Sequence, residues 1–176
     1  MTAVELPMFP LGSVLLPSTV IPLHIFEPRY RALARHCVDG DGRLGVVLIE
    51  RGSEVGGGDV RFDVGTRARI ADAVELEDGR WVMAVVGEER VRVRRWLPDD
   101  PYPRAEVVPC PDEGLGEDGM QRGDELERVL RRVVGARAEL GEPVAELPDG
   151  LSPDPAVATW QALALSGLGP LDAQRV

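Results

Sequence analysis

The chain contains no lysine: all 20 of its basic residues are arginine. That excludes Schiff-base chemistry, a lysine general base and the phosphate-gripping lysine of a P-loop. Histidine is scarce, with only His24 and His36 present. Ser13 and Ser18 lie near His24 in sequence, but no G-x-S-x-G elbow surrounds either, and no catalytic residue is assigned. The two cysteines, Cys37 and Cys110, stand 73 positions apart, a spacing that suits two reduced, buried thiols. His36 adjoins Cys37, yet neighbouring helical residues point about 100° apart and chelate poorly. Neither a metal nor a cofactor is expected. Long apolar runs are missing too, none approaching the ~20 residues that cross a bilayer. The opening MTAVELPMF has no basic head or small-residue cleavage site of a signal peptide. The expected location is the cytoplasm, with no membrane partner.

What the chain has instead is acid. Thirty Asp and Glu against 20 Arg leave a formal net charge of -10. Residues 1–110 hold 14 Arg against 17 acids, and residues 111–176 hold 6 against 13. Counterion release rewards clustered positive charge, so nucleic acid is not the first expectation. One local basic patch stands out: Arg90, Arg92 and Arg94 alternate with Val91 and Val93, with Arg67 and Arg69 on a neighbouring strand-like segment. The alternation puts the valines inward and the arginines outward, facing Asp72, Glu75, Glu77, Glu88 and Glu89 across a sheet. The adjacent acids Glu88–Glu89 and Asp99–Asp100 do not converge as an acid/base pair would. Three glycines at 56–58 have no basic partner or helix start nearby and read as loop.

Hydrophobic periodicity divides the chain. Strands are predicted over 6–10 and 19–25, joined through a turn at LGS and Pro17; proline suits edge or bulged positions. EPRYRALARHCVDG reads as a helix, with Pro28 in its first turn and Gly40 as the stop. Its inward stripe is Tyr30, Leu33, Ala34 and Cys37, leaving Arg29, Arg31 and Arg35 towards water. The β-branched run RLGVVLIE is a buried strand, and residues 51–59 read as a mobile loop. Asp78-Gly79 marks a hairpin, Gly87 a break, and YPRAEVVP a further strand. An acidic, glycine-rich linker follows at 111–122. Beyond it, at 123–176, Leu126, Val129, Leu130, Val133 and Val134 make one helical face, with Glu127–Arg131 as an i,i+4 pair. A second helix is expected with Ser152 as its cap, Pro153 in its first turn and Val157, Trp160 and Ala164 inward. A last helix restarts at Pro170, and its six residues are too few to stand alone. It is expected to continue past Val176 in a longer protein.

The run LPMFPLGSVLLPSTVIPLHIFEPRYRAL resembles the opening signature of the Lon protease N-terminal, or Lon substrate-binding, domain. RLGVVLIE, the block VGTRARIADAVELEDGRWVMAVVGEERVRVRRW and YPRAEVVP follow in the order that family shows. The resemblance implies an α+β fold: a mainly antiparallel, six-stranded PUA-like pseudobarrel over residues 1–110 with one inserted helix, then a C-terminal helical bundle. It further implies a non-enzymatic module that recognises unfolded or exposed polypeptide segments, since the Walker motif and Ser–Lys dyad of the full protease cannot be built from these residues. A separate protease or chaperone is the expected recipient. The expected peptide contacts are Phe9, Leu16, Ile25, Phe26, Arg29 and Trp81, on the opening ribbon and barrel rim. The alternative is a PUA-like nucleic-acid module using Arg67, Arg69, Arg90, Arg92 and Arg94.

Overall fold

A computed structural model describes residues 3–52, 54–111 and 122–176. Alternating and β-branched sequence becomes strand where periodicity places it: β1 Val4–Leu11, β2 Val20–Ile25, β3 Arg43–Arg51, β4 Val60–Glu75, β5 Trp81–Leu97 and β6 Arg104–Pro109. The helices are α1 Pro28–Asp39, α2 Gly123–Glu139, α3 Pro155–Leu165 and α4 Pro170–Arg175. The chain divides into two compact units, Met1–Pro111 and Asp112–Val176. The expected linker at 111–122 lies, apart from Pro111 and Arg122, outside the described residues.

In the first unit the six strands lie in the order β2-β5-β4-β3-β1-β6, and β6 returns to pair with β5. That last pairing closes a five-stranded ring and leaves β2 as an appendage on β5. The sheet is mixed rather than purely antiparallel, because β1 runs parallel to β3 with Phe9 opposite Val46. Parallel neighbours need a long crossover, and here it consists of the proline-rich ribbon, β2 and α1. Gly87 does not break the chain as expected: β5 runs on through it to Leu97. One half of β5 pairs with β2 and the other with β6. A bulge at Glu88 lies between the halves, where Arg67 is opposite Glu89 but Ala68 is opposite Gly87.

Gly87 has a different task. The Ser18 amide donates to its carbonyl at 2.8 Å, and its own amide donates to Thr19 at 2.9 Å. A side chain there would collide with the Leu16 carbonyl oxygen. The buried Thr66 hydroxyl donates to the Leu15 carbonyl at 2.5 Å, so the ribbon is tied to β4 as well as β5. Two apolar clusters fill the unit. One joins α1 (Tyr30, Leu33, Ala34, Cys37) to Phe9, Ile25, Trp81 and Met83. The other fills the far end of the ring with Met8, Val47, Val91, Val93 and Val107. The four-residue stripe of α1 is buried as its 3.6-residue spacing predicts. The turn between β4 and β5 carries Asp78-Gly79, with the Leu76 amide donating to Arg80 at 2.8 Å.

In the second unit, Leu130 and Val134 of α2 pack with Ala162 of α3, flanked by Leu126, Leu147, Leu151 and Leu165. Among the described residues the packed part of this unit is the pair α2 and α3, and α4 buries no residue. Val129 and Val133 are exposed, so the inward face of α2 is narrower than its apolar pattern. α3 differs from expectation at its start. Asp154, not Ser152, caps it, accepting from the amides of Ala156 and Val157 at 2.9 and 3.3 Å. Its buried residues are Ala158 and Ala162 rather than Val157, Trp160 and Ala164, and Ala162 is the one that packs with Leu130 and Val134. The Glu127–Arg131 pair forms at 2.7 Å.

Two measurements test this packing. Gly87→Ala is expected to lower the unfolding free energy by about 1–3 kcal/mol in urea titration, because the ribbon backbone must shift. Burial pushes the Cys37 thiol up to about 12, and only the thiolate reacts. A native thiol assay at pH 8 should therefore find one fast cysteine, the partly exposed Cys110, and the second only after denaturation.

Candidate functional site

The end of β1, the end of β2 and the first turn of α1 surround a cleft. Its lining includes Phe9, Pro10 and Leu11 from β1, His24 and Ile25 from β2, and Phe26, Glu27 and Tyr30 at the entry to α1. Glu54 and Val55, from the loop between β3 and β4, complete it, and the empty space amounts to about 370 Å³, part of it open to solvent. The floor is apolar: Phe9, Ile25 and Tyr30 are buried, and the Phe9 and Tyr30 rings lie 4.6 Å apart. The mouth is apolar too. Phe26 is 55% exposed and Val55 54% exposed, so two large hydrophobic side chains stand in water beside a hydrophobic recess.

Charged groups hold the loop over this recess. The Gly12 amide donates to the Glu54 carboxylate, and the Gly56 amide donates to Glu27 Oε2 at 3.2 Å. Arg29 stacks its guanidinium 4.4 Å from the centre of the Tyr30 ring, a cation–π contact. Its Nε lies 3.3 Å from Glu27 without hydrogen-bond geometry, and Nε and Nη2 are buried without hydrogen bonds among the described residues. Gly57, at φ +81°, passes so close that a Cβ would come within 2.9 Å of Arg29 Nη1; only glycine takes both that angle and that approach. The loop base is pinned by Asp59, whose side chain is 1% exposed and 2.5 Å from Arg61. Arg61 also reaches Asp99 at 2.9 Å and lies 4.8 Å from the centre of the Trp96 ring. Burial alone would raise the Asp59 pKa, but hydrogen bonds from Arg61 and from backbone, with the Arg61 and Arg29 charges, hold it below the ordinary value.

Three expected contact residues meet here: Phe9 and Ile25 form part of the floor and Phe26 part of the rim. Arg29 lies beneath the loop, half-buried, rather than facing water as its helix position suggested. Leu16 and Trp81 do not line the cleft. Leu16 is buried where the ribbon crosses Gly87, and Trp81 lies in the core opposite Ile25 of β2. Their apolar character marked core, not rim. The residues that sequence reasoning passed over are Glu54 and Val55. A valine amid glycines and acids was the available signal, but only the fold shows that the loop returns to β1.

The basic patch is divided. Glu88 stands 3.2 Å from both Arg43 and Arg67 and 3.9 Å from Arg69, and Glu89 is 3.0 Å from Arg67. Arg92 and Arg94 are exposed, and Arg90 is half-buried. Among the described residues, no three His, Cys, Asp or Glu side chains gather as metal ligands.

The ATP-dependent protease La (LON) substrate-binding domain family matches residues 5–158. The chain belongs to this family. Lon protease 2 of Herpetosiphon aurantiacus is 31% identical over 69% of this chain and 16% of its own length. Lon protease 2 of Myxococcus xanthus is 30% identical over 84% of this chain and 18% of its own length. This LON substrate-binding domain chain thus spans under a fifth of those two relatives. Among solved structures, the Lon N-terminal domain protein from Xanthomonas campestris superposes with a TM-score of 0.58 at 33% identity, covering 92% of this chain and 98% of that one. The N-terminal domain of Mycobacterium avium complex Lon protease gives the same TM-score, 0.58, at 18% identity, over 78% and 71% of the two chains. It supports the fold alone.

The Tyr30 hydroxyl belongs to the cleft floor. It is buried with no hydrogen-bond partner among the described residues. Burial, partly opposed by the Arg29 charge, pushes it from 10.0 up to about 12. Below pH 10 the hydroxyl is neutral folded or unfolded. Above it the unfolded chain ionises first, so this group's contribution to stability is lost as pH rises towards 12. Tyr30→Phe should leave stability at pH 7 unchanged or raise it by up to ~1 kcal/mol. It should also flatten the alkaline decline, both read by urea unfolding from pH 7 to 11. A marked loss at pH 7 would mean the hydroxyl has a partner.

Proposed function

We propose that the chain is a non-catalytic recognition module that captures polypeptide segments with exposed apolar side chains, and that the cleft beside Phe26 is where it does so. One observation carries the reading. Phe26 and Val55 stand in water at the mouth of a recess floored by Phe9, Ile25 and Tyr30. Exposed hydrophobic side chains rimming an apolar recess are the usual mark of a docking site. Membership of a substrate-binding domain family agrees with it. β2 offers a further element, since it pairs only with β5 among the described residues. An extended segment could add to its outer edge, although Pro22 removes one amide from that ladder. The clients would be unfolded or partly unfolded chains in the cytoplasm, passed to a separate protease or chaperone.

The nucleic-acid reading is weaker. Arg67 and Arg69 share Glu88, and the overall charge of -10 repels phosphate.

The test is binding to an array of unstructured peptides at physiological salt, using the whole chain and Phe26→Ser. Because Phe26 is largely exposed, the substitution should leave the fold intact, which circular dichroism would verify. Apolar peptides should be captured and acidic, polar ones ignored, with affinity roughly tenfold weaker in the variant. Absence of peptide capture, or capture indifferent to Phe26, would reject the reading.

A further inference from the structure

The cleft has a sign as well as a polarity. Its floor is neutral, but both ionisable groups of fixed charge in its lining are carboxylates, Glu27 and Glu54. They are not equivalent. Glu27 is already engaged, with Arg29 Nε at 3.3 Å and the Gly56 amide at 3.2 Å. Glu54 sits on the exposed loop beside Val55, and its partner among the described residues is a neutral donor, the Gly12 amide. Among the described residues no arginine lies within ion-pair distance of it. Arg29 cannot reverse this sign, because its guanidinium lies over the Tyr30 ring and against Gly57 rather than in the cleft lining. The loop therefore delivers an apolar side chain and an unpaired negative charge next to each other.

We infer that the segments bound here carry a lysine or arginine beside the apolar anchor: the apolar side chain enters the recess, and the cation meets Glu54. The inference rests on the peptide-recognition reading above and narrows it. The charge balance of the cleft's own unit acts in the same direction, since residues 1–110 hold 14 Arg against 17 acids, an excess that favours cationic segments over acidic ones. Exposed charge pairs are weak and screened by salt, so discrimination should be modest.

The experiment uses three labelled peptides with one apolar core, flanked by Lys, Ser or Asp, titrated with the whole chain by fluorescence anisotropy at low and high salt. The Lys-flanked peptide should bind roughly fivefold more tightly than the Asp-flanked one at low salt, with the ratio shrinking at high salt. Glu54→Gln keeps an acceptor for the Gly12 amide and removes the charge, so it should bring the ratio close to one. Glu54→Lys should invert it. Equal affinity for the three peptides, or a preference unchanged in Glu54→Gln, would overturn this inference while leaving apolar capture standing. Failure of all three peptides to bind would overturn both.

Discussion

The parallel pairing of β1 with β3 is the constraint on which the first unit depends. Two parallel neighbours cannot be joined by a tight turn, so the chain must leave the sheet, cross it and return. Everything between Leu11 and Arg43 serves that excursion. The ribbon lies across β4 and β5, tied by Thr66 and Gly87. β2 then docks on the first half of β5, and α1 lays Tyr30, Leu33, Ala34 and Cys37 over the opening. The cleft forms where this excursion turns from β2 into α1, beside the end of β1. An antiparallel β1–β3 hairpin would have had no such corner.

The β3–β4 loop converts that corner into a walled recess. It is glycine-rich and solvated, so apolar burial does little to hold it, and polar contacts do the work: Gly12 to Glu54, Gly56 to Glu27, and Asp59 to Arg61. Removing Asp59 from water is costly by itself. The cost is offset because Arg61 is shared with Asp99 and stacked near Trp96, so neither charge is left unpaired. Arginine suits this role better than lysine would, since one planar guanidinium serves two carboxylates and a ring together. Arg29 uses the same planarity more narrowly, stacking on the Tyr30 ring beside Glu27. The chain's complete reliance on arginine thus has a structural use, whatever produced it.

On the outer face of the sheet, Glu88 has a comparable part. It is the residue displaced by the β5 bulge, and the bulge presents it between Arg43, Arg67 and Arg69. A strip that looks basic in one dimension is partly neutral in three. Among the described residues of the second unit, α2 and α3 pack together through Leu130, Val134 and Ala162.

Local sequence determined the elements of this protein. The four-residue stripe of α1, the Asp78-Gly79 turn, the Val91/Val93 alternation and the Glu127–Arg131 pair are set by periods of 3.6 and 2 and by turn chemistry, which act over a few residues. The opening motif carried the family. Which apolar residues are floor, rim or core was not legible, because Phe9, Leu16, Ile25, Phe26 and Trp81 have the same chemistry and differ only in what lies above them. Tertiary structure decided that. Leu16 was buried where its ribbon crosses β5 and Trp81 within the core, and Phe26 was left at a corner. Glu54 and Val55 met β1 only because a loop more than forty residues away in sequence folded back onto it. Contacts at that separation depend on how the sheet closes, and no local period records it.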